Sequence, residues 1–211
     1  MFQDSALANG LESLESFLKG TSSARASFTQ TVTQPPSQAG GAASTRPRTS
    51  TGVFEFQRPD RFRFVYQKPF AQTIVADGQT LWYHDAELNQ VTARAQAQAL
   101  GQTPAALFAS ATDLKSLGQS FDLQAEPDQD GLQWAQAVPR KEAGRDALIQ
   151  RVRIGLRPVA AGGPPELAVL EIVDSFGQRS VMRFASFERN VTPRPDAFVF
   201  KPPAGADVIR Q

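Results

Sequence analysis

The chain has 211 residues, 41% of them hydrophobic and 20% charged, with Lys+Arg 22 against Asp+Glu 21 and no cysteine. That length suits a single domain over residues 1–211, and a formal net charge of +1 is too balanced for a protein built around a phosphate backbone, so no nucleic-acid partner is expected. Without cysteine the chain as given has no disulfide, thiol nucleophile, thiolate metal site or lipidated N-terminal cysteine, and no apolar run approaches the roughly 20 residues of a membrane helix.

Met1-Phe2-Gln3-Asp4-Ser5 shows neither a positive n-region nor an apolar h-region, so no signal peptide is expected in this chain. A cytosolic protein and a mature exported one both start this way. Residues 1–20 read as a helix: Asp4 or Ser5 is placed to cap it, Leu7, Leu11, Leu14 and Leu18 form one stripe, and Gly20 is placed to end it. Glu12 and Glu15 fall on its polar side. Ala26–Val32 alternates as a strand, and Gln34–Ser50, rich in Pro, Gly, Ser and Thr, reads as a long mobile loop.

The most informative stretch is Gly52–Thr92. With side chains alternating faces at period 2, Phe54, Phe56 and Arg58 share one face opposite Val53, Glu55 and Gln57. Phe62, Phe64 and Tyr66 repeat the pattern opposite Arg61, Arg63 and Gln67, and Ile74 and Ala76 extend it. One face is aromatic and the other charged. The inventory of 15 Phe against 2 Trp and 2 Tyr suits a surface meant to stay greasy, although aromatics are more commonly plain core. Arg58 is the anomaly, since a guanidinium on an apolar face needs carbonyls or a carboxylate in front of it. The pattern alone favours Pro59 ending the strand and Arg58 turning out to solvent. Asp77-Gly78 reads as a two-residue hairpin turn.

Residues 94–118 switch to short weak helices: RAQAQAL up to Gly101, a turn of helix from Thr103-Pro104, and DLKSL capped by Thr112 or Asp113. None is long enough to stand alone. Strands resume at Phe121–Ala125, Gln133–Val138, Leu148–Leu156, Leu167–Val173 and Arg179–Phe187, with PDQDG as a turn and Arg157–Pro165 as a loop. The fold class is mainly β, about ten or eleven antiparallel strands with a few helices, and a sheet of that size must curl.

Little points to catalysis. His84 is the one histidine, in LWYHD with the parity of Trp82, and reads as structural; Asp128 and Asp130 lack the further ligands of a calcium loop. No GxSxG, Walker or GxGxxG motif occurs, so neither enzymatic activity nor a cofactor or metal is expected. Basic residues gather at Arg46, Arg48, Arg58, Arg61, Arg63 and Lys68, and again at Arg140, Lys141, Arg145, Arg151, Arg153 and Arg157. They are solvated outer-face charges or a patch for an acidic partner or anionic headgroups.

The ordered set Phe54-x-x-x-Arg58-Pro59-x-x-Phe62-x-Phe64, Tyr66-x-x-Pro69, Ile74-Val75-Ala76-Asp77-Gly78-x-x-Leu81-Trp82, Leu88-x-Gln90-Val91-Thr92, Thr103-Pro104 and Phe198-x-Phe200-x-Pro202-Pro203 resembles the LolA family of periplasmic outer-membrane lipoprotein carriers. The resemblance runs nearly the whole chain. It implies an incomplete β-barrel of about eleven strands covered by an α-helical lid, made of the helix at 1–20 and the helices at 94–118. It implies that Arg58 closes the lid by bonding carbonyls near Phe108 and Ala109, and that Phe62 contacts the inner-membrane transporter. Phe54, Phe56, Phe62, Phe64, Ile74 and Leu81, with Leu11, Leu14, Leu107 and Phe108 from the lid, are the expected acyl-chain cavity. The implied partners are outer-membrane lipoproteins, the inner-membrane lipoprotein-releasing ABC transporter and an outer-membrane receptor; the implied location is the periplasm and the implied state a monomer. Two departures stand out: the 34–50 loop is longer and more Pro-rich than usual, and Phe64 stands where tryptophan is common. The alternatives are the outer-membrane receptor of the same fold, shorn of its lipidated cysteine, and a lipid-sensing regulatory module.

Overall fold

In the computed structural model, which describes residues 9–35, 46–99, 111–140, 149–160 and 162–211, the period-2 runs become twelve strands of one sheet. The first meander is β1 (Ser23–Thr33), β2 (Arg48–Gln57), β3 (Arg61–Lys68), β4 (Gln72–Asp77), β5 (Thr80–Asp85) and β6 (Gln90–Ala95). The second is β7 (Phe121–Gln129), β8 (Leu132–Pro139), β9 (Ile149–Arg157), β10 (Glu166–Asp174) and β11 (Arg179–Arg189). β1 pairs with β11, Phe28 opposite Phe184, and this joins the two meanders in mid-sheet. The edges are then β7 on one side and β12 (Asp207–Arg210) on the other, and the sheet does not close. β12 lies parallel to β6, Val208 opposite Val91, the one departure from the antiparallel expectation.

β6 lies near one edge of the sheet and β7 at the other. The described helical parts between them are α2 (Gln96–Ala99) and α3 (Leu114–Gly118), the latter capped by Asp113, whose carboxylate accepts from the Ser116 amide at 2.7 Å.

The other helix, α1 (Gly10–Gly20), starts later than its leucine stripe suggested. Asp4, Ser5 and Leu7 lie outside the described residues. The cap is Asn9, extended at φ −73°, whose side chain accepts from the Leu11 and Glu12 amides at 3.0 Å while the Glu12 carboxylate reaches back to the Asn9 amide. Gly20 is the last helical residue and not a left-handed cap. Its missing side chain instead makes room for Pro164, which a Cβ there would meet at 2.3 Å.

Two other boundaries move. β2 already begins at Arg48, so Arg48, Thr49 and Ser50 belong to the sheet and the loop is shorter than 34–50; residues 36–45 are outside those described. The β4–β5 turn is Gly78-Gln79, not Asp77-Gly78. Asp77 ends the strand and its carboxylate accepts from the Gln79 and Thr80 amides, both at 2.8 Å, and from the Trp82 indole at 3.0 Å, so only Gly78 takes a positive φ, 104°.

The two faces of the sheet are covered differently. On the concave face one apolar cluster runs from Phe54, Phe56, Phe62 and Phe64 through Phe28 and Phe184 to Ile154, Leu156 and Leu170, with Leu14, Phe17 and Leu18 of α1 laid on it. On the convex face Glu171 is 4% exposed and faces three arginines: Arg179 at 2.8 Å, Arg153 at 3.5 Å and Arg151 at 4.0 Å. Burial alone would raise its carboxyl pKa, but the Arg179 hydrogen bond and the arginine charges hold it below the usual range. Arg153 also stacks on Trp134 at 4.5 Å and pairs with Glu126 at 2.6 Å, and Arg157 faces Glu166 at 3.9 Å. The second run of basic residues is therefore largely neutralised within the sheet; its Lys141 and Arg145 lie outside the described residues. Farther along this face Phe200 stacks on Trp82 at 5.4 Å and lies 6.0 Å from His84, so the lone histidine sits beneath the C-terminal segment.

α1 approaches β8 closely enough to exclude a side chain at its start: a Cβ on Gly10 would lie 1.7 Å from the Trp134 carbonyl oxygen. Gly10→Ala is expected to lift the first turn off the sheet and cost about 1–3 kcal/mol, read as a lower midpoint in denaturant unfolding.

Candidate functional site

The aromatic run places its side chains as the alternation required. Phe54 lies opposite Phe64 and Phe56 opposite Phe62 across β2 and β3, and Phe64 in turn lies opposite Ile74 and Phe62 opposite Ala76 in β4. In register, Ile74 pairs with Tyr83 and Ala76 with Leu81, which carries the same face into β5. The Phe54 and Phe64 rings stack at 4.4 Å, Phe28 meets Phe64 edge-on at 5.8 Å, and Phe184 closes on Phe54 from the other meander at 5.7 Å. Phe62 is 0% exposed. Leu14 is buried among these residues, while Leu11, Ile74 and Leu81 are partly buried at the margin of the same cluster. Tyr66 stands there too, and burial, reinforced by Tyr83, pushes its phenol up to about 12.

Sequence reasoning found only one wall of this surface. Phe17, Phe28, Phe184 and Phe187 belong to it as well, Phe17 and Phe187 lying 6.1 Å apart, yet none stands in a run as dense as Gly52–Thr92. Alternation in β1 and β11 was the available signal.

Arg58 turns inward. Its Nε donates to the Thr21 carbonyl at 2.9 Å and its Nη1 to the Ala111 carbonyl at 2.8 Å. The guanidinium carbon lies 4.8 Å from the centre of the Phe56 ring in the sheet and 5.4 Å from that of Phe17 in α1. Burial pulls its pKa down to about 10, which leaves it cationic at neutral pH. Thr21 immediately follows α1, where carbonyls lack helical partners and the helix dipole favours a cation, so the arginine meets an acceptor already suited to it.

The neighbouring carbonyls are taken as well. Asn190 donates its side-chain amide to Gly20 at 3.0 Å and accepts from the Ser22 amide at 2.9 Å, and the Arg58 amide donates to the Ser22 carbonyl at 2.8 Å. Three successive carbonyls, from the last residue of α1 to Ser22, are thus bonded to the β2–β3 corner or to the end of β11. Asn190, in the left-handed region at φ 53°, was not singled out from sequence. Neither was Gln96, 3% exposed, which donates to the Asp60 carbonyl at 2.6 Å and accepts from the Gly78 amide at 3.0 Å, tying two hairpin turns together beside Arg58. Outside this corner a polar cleft of about 480 Å³ opens between the turns, lined by Gln57, Arg58, Asp60, Arg61, Asp77 and Gln79.

Leu107, Phe108 and Ala109, expected to face the floor or to receive Arg58, lie outside the described residues. The described acceptor in that segment is Ala111, buried and two residues past Ala109 in the chain.

The arrangement is an apolar floor, closed to solvent, under a helix whose C-terminal end is fastened by one arginine and one asparagine. Each charged hydrogen bond of this kind contributes about 1.5–3 kcal/mol. Arg58→Leu should therefore raise amide exchange across Gly10–Gly20 by one to two orders of magnitude while the β1–β11 ladder keeps its protection, as hydrogen-exchange mass spectrometry would resolve.

Residues 19–201 match the family model described as outer membrane lipoprotein carrier protein LolA. A curated outer-membrane lipoprotein carrier protein from Albidiferax ferrireducens is 57% identical over 97% of this chain and 92% of its own length, and one from Methylibium petroleiphilum is 49% identical over 98% and 92%. Among solved structures, a conserved protein from Thermus thermophilus shares the fold at TM-score 0.55 and 13% identity over 95% of this chain and 98% of that one. A LolA superfamily protein from Nitrosomonas europaea does so at TM-score 0.50 and 12% identity, over 90% and 96%.

Proposed function

Because the chain belongs to the LolA outer-membrane lipoprotein carrier family, we propose that its concave face takes up the acyl chains of outer-membrane lipoproteins and carries them across the periplasm. The observation that carries this reading is the fully covered phenylalanine floor, Phe54, Phe56, Phe62 and Phe64, beneath a helix held at its end by Arg58. A floor of this kind takes acyl chain once its cover moves aside.

Burying acyl chain is worth roughly 0.8 kcal/mol per methylene, so about ten methylenes give on the order of 8 kcal/mol. That suffices to carry a lipid through water, and much more would hinder release. Closure must then be weak enough to yield. The bonds from Arg58 to Thr21 and Ala111 meet this need, being on one residue and made to backbone carbonyls that remain after any substitution. Cargo that fills the floor competes with Leu14 and Phe17 of α1 for the same rings, so binding and opening are linked, and the carrier itself needs no nucleotide.

Loading from an inner-membrane ABC transporter and delivery to an outer-membrane receptor complete the cycle, with the carrier a monomer. Phe62, the proposed transporter contact, is fully buried in this state. A partner reaches it only after the cover has lifted, which orders docking and opening.

Incubation with lipoprotein-laden inner-membrane vesicles bearing the transporter should release a soluble one-to-one complex of carrier and lipoprotein; lipoprotein that stays wholly with the vesicles overturns the carrier reading. In the same system Arg58→Leu should still load but hand over to the receptor about tenfold more slowly, because the open state is no longer opposed. Transfer at the unaltered rate would remove Arg58 from the switch.

A further inference from the structure

Among the described residues six large apolar side chains are exposed, and three of them stand on hairpin turns: Phe70 at 55%, Leu88 at 71% and Phe176 at 77%. Turns favour Gly, Asn, Asp and Pro, and a large apolar side chain at the tip of one adds nothing to the core. Strand direction puts all three at the same end of the sheet. Tyr66 pairs with Gln72 before the β3–β4 turn, Asp85 with Gln90 before the β5–β6 turn, and Val173 with Arg179 before the β10–β11 turn. The Arg58 corner is at the opposite end.

These turns are held in shape. The Asp85 carboxylate accepts from the Glu87 amide at 3.0 Å and the Leu88 amide at 3.1 Å, and Asp174 does the same for Phe176 and Gln178, both at 2.9 Å. The Ala86 amide donates to the Ala71 carbonyl at 3.1 Å, fastening the Leu88 turn to the Phe70 turn. Exposed cations flank them: Lys68 precedes Pro69-Phe70, and Arg46 and Arg48 lead into β2 at this end. One oxygen each of Asp85 and Asp174 accepts the turn amides, the other oxygen of Asp85 accepts from the Gln72 side chain at 3.2 Å, and Glu87 is the exposed acid of the Leu88 turn.

We propose that this end of the sheet is a lipid-contacting rim, with Phe70 and Leu88 as its centre and Phe176 as an outlying third point, which seats the carrier on an anionic bilayer surface. The proposal rests on the carrier reading and adds where the carrier touches the membrane. The tips stand on separate hairpins, so a protein partner would need a matched pocket for each. A bilayer interface accepts aromatic and aliphatic side chains independently of their spacing, and Lys68, Arg46 and Arg48 complement its phosphate headgroups. Rigid turns lower the cost of insertion, because the side chains are already presented.

The test is co-sedimentation with vesicles of phosphatidylethanolamine and phosphatidylglycerol, comparing the unaltered protein with Phe70→Ser, Leu88→Ser and the double variant. The unaltered protein should associate, more weakly as salt rises, and the double variant should partition at least about tenfold less with an unchanged unfolding midpoint. Equal binding by the double variant, or no binding by the unaltered protein, overturns the rim. A double variant that binds vesicles normally yet fails to deliver to purified receptor in detergent would assign the tips to a protein contact and equally overturn it. Uptake of lipoprotein from donor vesicles separates the two readings. Both proteins should perform it, and failure of both would strike the carrier function while leaving the vesicle result intact.

Discussion

A single buried guanidinium joins three separate parts of the chain at one corner of this sheet. Arg58 stands at the corner where β2 gives way to β3, and its two described acceptors are carbonyls from other parts of the chain, Thr21 after α1 and Ala111 in the segment between β6 and β7. Its aromatic neighbours are likewise divided between sheet and helix, Phe56 and Phe17. Taking the charge out of water is costly, and the carbonyls of Thr21 and Ala111 help to meet that cost. The arginine thereby ties the end of α1 and the segment before β7 to the corner of the sheet.

The need for such a device follows from the topology. Among the described residues the open sheet with its phenylalanine floor has no second sheet to cover it, and the strand order leaves β12 and β7 as edges. α1 enters through its link to β1 at the centre of the sheet. Cover and floor are parts of one chain, but their contacts are side chains on rings and a few bonds to backbone, not a shared ladder. Separation therefore sacrifices no strand pairing.

The convex face shows the contrast. There Glu171 is surrounded by Arg151, Arg153 and Arg179, Arg153 lies on Trp134, and Phe200 of the C-terminal segment packs on Trp82. Charges paired within the sheet and a covalently continuous strap fix this side, whereas the other side relies on apolar contact between α1 and the phenylalanines. A sheet rigid on one face and exchangeable on the other suits a carrier that must open without unfolding.

Much of this was legible in the residues. Alternation placed Phe54, Phe56, Phe62, Phe64 and Ile74 on an apolar face, because period 2 is a local property of extended chain and survives any arrangement of the other strands. It also marked Arg58 as out of place, and the ordered motif, not the pattern, favoured its turning inward. The sequence did not place Thr21, Ala111, Asn190 or Gln96 at the corner, since a backbone acceptor has no signature and their partners lie from 18 to 170 residues away. It put the turn at Asp77-Gly78, where the Asp77 carboxylate in fact collects two amides and shifts the turn by one residue. The parallel seat of β12 and the meeting of Phe28 with Phe184 came from long-range pairing alone. Local chemistry determined which side chains share a face; only the tertiary structure decided what lies across from that face, because covering an open sheet is a contact between segments far apart in the chain.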